Sequence, residues 1–271
     1  MNRFNRALYL LPIAMLLAAA CGRSEHRPGT HGDHAKATIT RSWPAAGVRA
    51  LRVFEIDGSV KIEAADTDEI SLVATAVGDF ALDKKKQNDG LFETTLEGDT
   101  LKIGRREPNV KGFRIPFVFS RSDKRINYAL RVPPTVSLEV KTVNGRIATR
   151  GIDAATDVTS VNGAIDVETG GTSELQASTV NGRVRAKFLR SFQGARFRTV
   201  NGGVEATLPQ SASFNVDLSQ VNGDFEASFP LSIHSNPGSR RVSGEVNGGE
   251  FELKITTVNG DIQLARLNGA L

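Results

Sequence analysis

The sequence predicts an all-β fold, a β-solenoid turned at Asn-Gly corners, and three observations carry that expectation. The tripeptide Val-Asn-Gly occurs seven times, with its asparagines at Asn144, Asn162, Asn181, Asn201, Asn222, Asn247 and Asn259. Successive copies stand 18, 19, 20, 21, 25 and 12 residues apart, and a period of about twenty residues signals a solenoid. From Thr38 onward apolar and polar residues alternate as in strands, and no amphipathic helical pattern appears. The 26 glycines and 6% aromatic content fit turn-rich β structure built on small and β-branched side chains.

The chain opens with a segment of a different kind. Arg3 and Arg6 precede an apolar run, Ala7 to Ala20, that is too short to span a bilayer as a mature helix. It ends at Cys21, the single cysteine of the 271 residues. This resembles a bacterial lipoprotein signal, whose cysteine is lipidated and becomes the new N-terminus. Ala18 stands where such signals usually carry a bulky aliphatic residue. The resemblance implies a signal peptide over 1–20 and a membrane anchor at Cys21. Gly22, rather than Asp, follows the cysteine, which implies sorting to the outer membrane in a Gram-negative host. Losing Arg3 and Arg6 leaves 32 basic residues against 30 acidic ones, so the high pI is weak support for nucleic acid, and none is expected as a partner. Residues 21–37 read as the lipidated cysteine and a flexible polar linker. The linker's His26, His31 and His34 fit no closed metal site by spacing, so no metal or cofactor is expected.

The β-strand-repeat domain is expected over 38–271. Its first strands alternate around Asp57-Gly58, a degenerate relative of the later corners. Turn signals at Gly78-Asp79 and Asn88-Asp89-Gly90 lead into a strand pattern ending near Gly104. Residues 105–125 then break the rhythm, and strand character resumes at Ile126.

Counting from each Asn, position −4 holds Val140, Val158, Ala177, Phe197, Leu218, Ser243 and Ile255; position +3 holds Ile147, Ile165, Val184, Val204, Phe225, Glu250 and Ile262. Each unit is therefore a short strand, a corner and a second strand. The copy at Asn247 keeps the corner but not the flanking pattern. The paired residues Asn144-Gly145, Asn162-Gly163, Asn181-Gly182, Asn201-Gly202, Asn222-Gly223, Asn247-Gly248 and Asn259-Gly260 are expected to be structural corners, because both residue types tolerate positive φ. Two architectures use such pairs. In a solenoid the corners stack about 4.8 Å apart and the Asn amides can form a ladder. In a meander of β-hairpins each pair makes a type I′ turn. The closely repeated turn sequence favours stacking.

The Thr/Ser-Val-Asn-Gly repeats, the opening "FEIDGSVKIEAADTDEISLVATAV" and the closing "GGEFELKITTVNGDIQL" resemble the bacterial candidate-adhesin family of β-strand-repeat domains of unknown function, over residues 38 to 264. The resemblance implies a right-handed β-helix-like solenoid and a cell-envelope location. It implies no catalytic residue.

No nucleophile elbow, phosphate loop or zinc spacing is present, and His234, expected in the loop "SIHSNPGS", is the lone histidine beyond the linker. A β-helix carbohydrate-active enzyme would need two carboxylates on one face. The sole pair the repeats suggest is Glu205 and Glu226, as neighbours on adjacent coils; charge pairs Asp166/Arg185 and Glu168/Lys187 on the same face suggest a solvated surface instead. The expectation is a non-catalytic binding or structural module. Its candidate binding residues are Arg105, Arg106, Arg114, Phe117, Phe119, Arg121, Lys124 and Arg125, an apolar stretch between basic clusters. That chemistry suits an anionic lipid, an acidic envelope glycan or a protein partner. The same stretch could equally cap an open end of the solenoid.

Overall fold

A computed structural model describes residues 36–78, 92–105, 125–236 and 239–267, all within one compact unit, His34–Leu271. The leader, Cys21, the linker histidines and Arg106 to Lys124 lie outside the described residues.

The strands, in chain order, are β1 (Lys36–Pro44), β2 (Ala50–Asp57), β3 (Val60–Ala64), β4 (Glu69–Val77), β5 (Glu93–Glu97), β6 (Thr100–Gly104) and β7 (Arg125–Val132). The repeats follow as β8 (Ser137–Asn144), β9 (Ile147–Arg150), β10 (Thr156–Asn162), β11 (Ile165–Thr169), β12 (Leu175–Asn181), β13 (Val184–Phe188), β14 (Ala195–Arg198) and β15 (Val204–Leu208). The last are β16 (Phe214–Asn222), β17 (Phe225–Ala227), β18 (Ser232–Asn236), β19 (Ser239–Val246), β20 (Phe251–Asn259) and β21 (Ile262–Arg266). Among the described residues there is no helix.

They form two sheets. One has the order β1-β4-β7-β3-β9-β11-β13-β15-β21-β17, the other β18-β19-β16-β20-β14-β12-β10-β8-β2-β6-β5. Each repeat gives one strand to each sheet, with the corner between them. Along each strand side chains alternate inward and outward, and the inward ones make the core: Val140, Val158, Phe197, Ile255 and Leu218 from one sheet meet Ile147, Ile165, Val184, Val204 and Ile262 from the other. The fold is thus a β-solenoid. The hairpin meander is excluded, because the strands flanking a corner lie in different sheets instead of pairing with each other.

The repeat sequence acts through stacking. Corners lie in parallel register, Asp57 against Asn144, Asn162 against Asn181, Asn222 against Asn259, with bridges Asn181–Asn201–Asn259. Each Asn Nδ2 donates to the side-chain oxygen one coil away: Asn222 to Asn259 (2.8 Å), Asn259 to Asn201 (2.9 Å), Asn201 to Asn181 (2.9 Å), Asn181 to Asn162 (2.8 Å), Asn162 to Asn144 (2.9 Å) and Asn144 to Asp57 (2.8 Å). All donors point one way, and the row ends on a carboxylate that only accepts. Behind it the buried hydroxyls of Thr142, Thr179, Thr199 and Thr257 donate to the carbonyls of Gly145, Gly163, Gly182 and Gly202.

At four corners the glycine requirement has a different cause from the one expected. Gly223, Gly248 and Gly260 have positive φ, at 133°, 95° and 158°, but Gly145, Gly163, Gly182 and Gly202 do not, and Asn247 is the one non-glycine among the described residues that does. A Cβ on Gly182 would instead fall 2.2 Å from the carbonyl oxygen of Gly163, and one on Gly202 1.9 Å from that of Gly182. The coils are too close at the corner for any side chain. Asn247-Gly248 is a turn but not a member of this row: Val246 pairs with Phe214, at the far end of β16 from Asn222.

Coil order departs from chain order twice. The turn made by β6 and β7 stacks outside β2–β3, although it follows them. At the other end β20–β21 inserts between β14–β15 and β16–β17. Antiparallel strands close the ends, β1–β4 and β5–β6 at one and the β18–β19 hairpin at the other, which covers edges that would otherwise template further pairing. That hairpin places His234 in a strand, opposite Arg241, rather than in a loop.

Two substitutions separate close approach from φ. Gly182→Ala should cost about 3 kcal/mol, lowering the melting temperature on the order of 10 °C, because the facing backbone cannot retract. Gly98→Ala, at φ +63 with nothing within 4 Å, should cost only about 1 kcal/mol. Equal losses in thermal denaturation would restore a φ explanation. Asn181→Asp should destabilise at pH 7, since a carboxylate there faces the Asn162 oxygen with no proton to donate. A carboxyl so placed titrates above its unfolded value, near 4, and the native state then binds more protons, so stability should recover as pH falls through that window.

Candidate functional site

The polar machinery concentrates where β2, β6 and β7 meet. At the position two before the corner five of the seven repeats carry Thr or Ser, with Gln220 and Glu245 in the other two, but in the first coil this place belongs to Glu55, which pairs in register with Thr142. Its side chain is wholly buried. Glu55 Oε1 accepts from the backbone N–H groups of Ile56 (3.0 Å) and Asp57 (3.2 Å), and Oε2 accepts from the Tyr128 hydroxyl (2.9 Å). Arg105 Nε lies 2.8 Å from Oε1. Burial pushes the Glu55 carboxyl above its ordinary range, while Arg105, Tyr128 and the two amides pull it back. Burial and the facing Glu55 carboxylate raise the Tyr128 phenol, so it stays protonated and donates. Phe92 packs edge-on against Tyr128 at 5.5 Å, and Arg41 sits over the Phe92 ring.

Outside this cluster a surface groove of about 500 Å³ runs over β2, β5, β6 and β8, lined by Arg52, Lys102, Arg105 and Lys141 against Glu93, Glu97 and Glu139. Its charges are largely matched: Arg52 and Lys141 both meet Glu139, at 2.7 and 2.8 Å, and Lys102 meets Glu97 at 2.6 Å.

Of the eight candidate binding residues, Arg105 and Arg125 are described. Arg105 follows β6 and its N–H donates to Phe54 O. Its guanidinium turns to Glu55, so its charge serves the fold. Arg125 starts β7 in the other sheet, exposed, opposite Val77. The structure thus assigns these two residues to different sheets and different roles. Arg106, Arg114, Phe117, Phe119, Arg121 and Lys124 fall outside the described residues.

The carboxylate pair suggested by the repeats is not assembled. Glu205 and Glu226 both pair with Gln263, which lies between them, because β21 occupies the intervening slot. Two strand spacings, about 9.5 Å, exceed the separation of a retaining glycosidase and stand at the outer limit of an inverting one. Gln263 stands between the two in register, and Glu205 is held by Arg185 at 2.7 Å. Arg146, Asp166, Arg185 and Glu205 form one chain of ion pairs along the stack. Glu168 pairs in register with Lys187, as expected, and its carboxylate reaches Arg150 at 3.4 Å on the other side. Among the described residues no group of three or more His, Cys, Asp or Glu is placed to hold a metal ion.

In the six repeats of the asparagine row the valine faces outward beside the asparagine, while Val246, outside the row, is buried. Val200, Val258 and Val221, on three consecutive coils, are 36%, 37% and 48% exposed. Reading the repeat as a corner alone missed this row. Glu55 was also missed, and its signal was available: extending the −2 column back to the degenerate corner at Asp57 puts a carboxylate where five of the seven repeats have a small hydroxyl.

Residues 134–265 match the family model described as Toastrack DUF4097. No curated protein gives a significant match. Among solved structures the chain is similar to a candidate cell adhesion protein from Clostridium sporogenes ATCC 15579, at 9% identity over 86% of this chain and 100% of that one, with a TM-score of 0.41. It is also similar to a candidate adhesin from Bacteroides fragilis NCTC 9343, at 11% identity over 86% and 98% of the two chains, with a TM-score of 0.29. A candidate lipid-binding protein from Parabacteroides distasonis ATCC 8503 shares 14% identity over 85% and 97%, with a TM-score of 0.28.

Glu55 makes a pH prediction. A carboxyl with a native pKa above its unfolded value binds more protons folded than unfolded, so stability falls as pH rises through that interval. The wild-type chain should therefore gain melting temperature, relative to Glu55→Gln, as pH is lowered from 7 towards 5. Parallel curves for the two proteins would show that Arg105 and the three hydrogen bonds fully offset burial.

Proposed function

Because residues 134–265 match the Toastrack model and the same stack continues through β2–β7, we propose that this chain is a lipid-anchored, non-catalytic binding module of the bacterial cell envelope. Cys21 is its lipid attachment point. The observation that carries the reading is the outer surface. Several of its charges, Arg146, Asp166, Arg185 and Glu205 among them, are spent in ion pairs along the stack, and beside them runs a row of outward valines on strands paired at both edges. A contiguous exposed apolar row is a usual mark of an interaction surface, and strands pinned on both edges present it without ordering cost.

The partner class is an acidic envelope glycan, an anionic lipid surface or an envelope protein. The basic residues flanking Phe117 and Phe119 supply long-range attraction, and the stack supplies the contact surface. With Arg105 committed to Glu55, the candidate basic residues left for attraction are Arg106, Arg114, Arg121, Lys124 and Arg125, of which Arg106, Arg121, Lys124 and Arg125 flank the apolar stretch.

Replacing these four with Gln should weaken association with anionic vesicles or acidic glycan, and the difference from wild type should shrink at high salt, where exposed charges are screened within about 8–10 Å or less. Melting temperature should hardly change, since exposed charges contribute little to stability. Arg105→Gln should do the reverse, lowering stability by leaving Glu55 buried without its cation. Unaltered vesicle binding by the four-residue variant would remove these residues from the proposal. Cys21→Ser should abolish acylation and release the protein from membrane fractions; wild-type protein recovered soluble with an unmodified thiol would refute the anchor.

A further inference from the structure

The coil made by β20 and β21 occupies a slot whose two walls are both built earlier in the chain. On one side it pairs with β14 and β15, from Ala195↔Leu253 to Leu208↔Arg266. On the other it pairs with β16 and β17, from Phe214↔Phe251 to Ala227↔Leu264. Leu253, Ile255, Ile262 and Leu264 are buried, and Asn259 supplies the ladder rung between Asn201 and Asn222. Without this coil the asparagine row is interrupted and two strand edges are unpaired in each sheet.

The chain enters the slot through a tight crossing. β19 and β20 flank β16 on opposite sides and run antiparallel to each other, so residues 247–250 pass over the start of β16. Asn247, Gly248 and Gly249 all have positive φ, at 49°, 95° and 65°. Asn247 Nδ2 donates to the carbonyls of Gln210 and Ala212, and Asn215 Nδ2 to that of Gly249. This four-residue reversal closes because Asn and Gly tolerate positive φ, and a substitution that disfavours it favours the extended chain.

We propose that residues 251–266 are an exchange element, and that the slot between β14–β15 and β16–β17 takes this coil from a second copy of the chain. The partner is argued from complementarity. The slot demands an Asn at the ladder rung, a hydroxyl two residues before it, and four apolar side chains at alternate positions, all at the matched register. Another copy of residues 251–266 meets every demand, so the exchanged dimer re-forms each bond of the monomer and changes only the hinge. The rival intramolecular state brings β16–β17 directly onto β14–β15, Asn222 against Asn201, and leaves the last coil outside. Exchange would join two outward valine rows in one bivalent particle, which raises avidity for a repeating partner without any new contact.

Ser219 and Thr256 face each other across β16 and β20 on the outer side, at a spacing a disulfide spans. In a Cys21→Ser background of the full chain, Ser219→Cys and Thr256→Cys are placed on separate chains. The two proteins are mixed at high concentration, loosened in urea below the unfolding midpoint, and returned to oxidising buffer. The expected result is a disulfide-linked heterodimer that light scattering reads as a folded dimer. If a single chain carrying both cysteines closes its bond internally while the mixture gives no interchain product, the proposal is overturned. In the unmodified background Gly248→Ala/Gly249→Ala disfavours the tight crossing and should raise the dimer fraction several-fold under the same treatment. A variant that folds and remains as monomeric as wild type would overturn the hinge's role.

Discussion

Where one corner glycine lies against the carbonyl of the glycine in the next coil, at distances that leave no room for a Cβ, the position of every other element in the stack is decided. That contact brings the asparagine amides within hydrogen-bonding distance, aligns the buried hydroxyls on the same carbonyls, and holds the two sheets at a common register. A slip of one residue would turn the core residues outward and break the amide row at the same time. Local propensity, core packing and polar satisfaction therefore agree on a single register, which is the condition for one well-defined fold.

A periodic stack must end, and the two ends are solved differently. At the first end the repeat chemistry changes from amide to carboxylate: Asp57 closes the asparagine row as a pure acceptor and Glu55 closes the hydroxyl row, drawing in Tyr128 and Arg105. At the other end Gln220 takes the hydroxyl's place and reaches the Gly260 carbonyl at 2.7 Å, and edge-on ring contacts link Phe188, Phe192, Phe214, Phe229 and Phe251 through the core. Gln220 stands where no further corner supplies a neighbour. Glu55 is the exception to economical design, because a wholly buried carboxylate is retained only with several partners.

Much of the strand pattern could be read directly from the chain. The alternation around Asp57-Gly58 gives β2, β3 and β4, and the columns at −4 and +3 of each Asn are core in every coil except the one around Asn247. The candidate binding segment was legible only as composition, since a basic and aromatic stretch has the same signature as a cap and as a docking loop. Arg105 illustrates the limit: its neighbours in sequence suggest an exposed charge, and its neighbour in space is a carboxylate fifty residues away.

By itself the sequence determined that the chain is an all-β stack, that Asn-Gly marks its corners, and which residues point inward, because these follow from periods of two and about twenty that any single repeat declares. Tertiary structure alone decided the order of the coils, and with it the separation of Glu205 from Glu226, the partner of Arg105, and the reason glycine is required. The physical cause is that all coils offer nearly the same hydrogen-bonding edge. Which edge meets which is settled by the lengths of the connections and by what closes each end, and neither is written in the repeat.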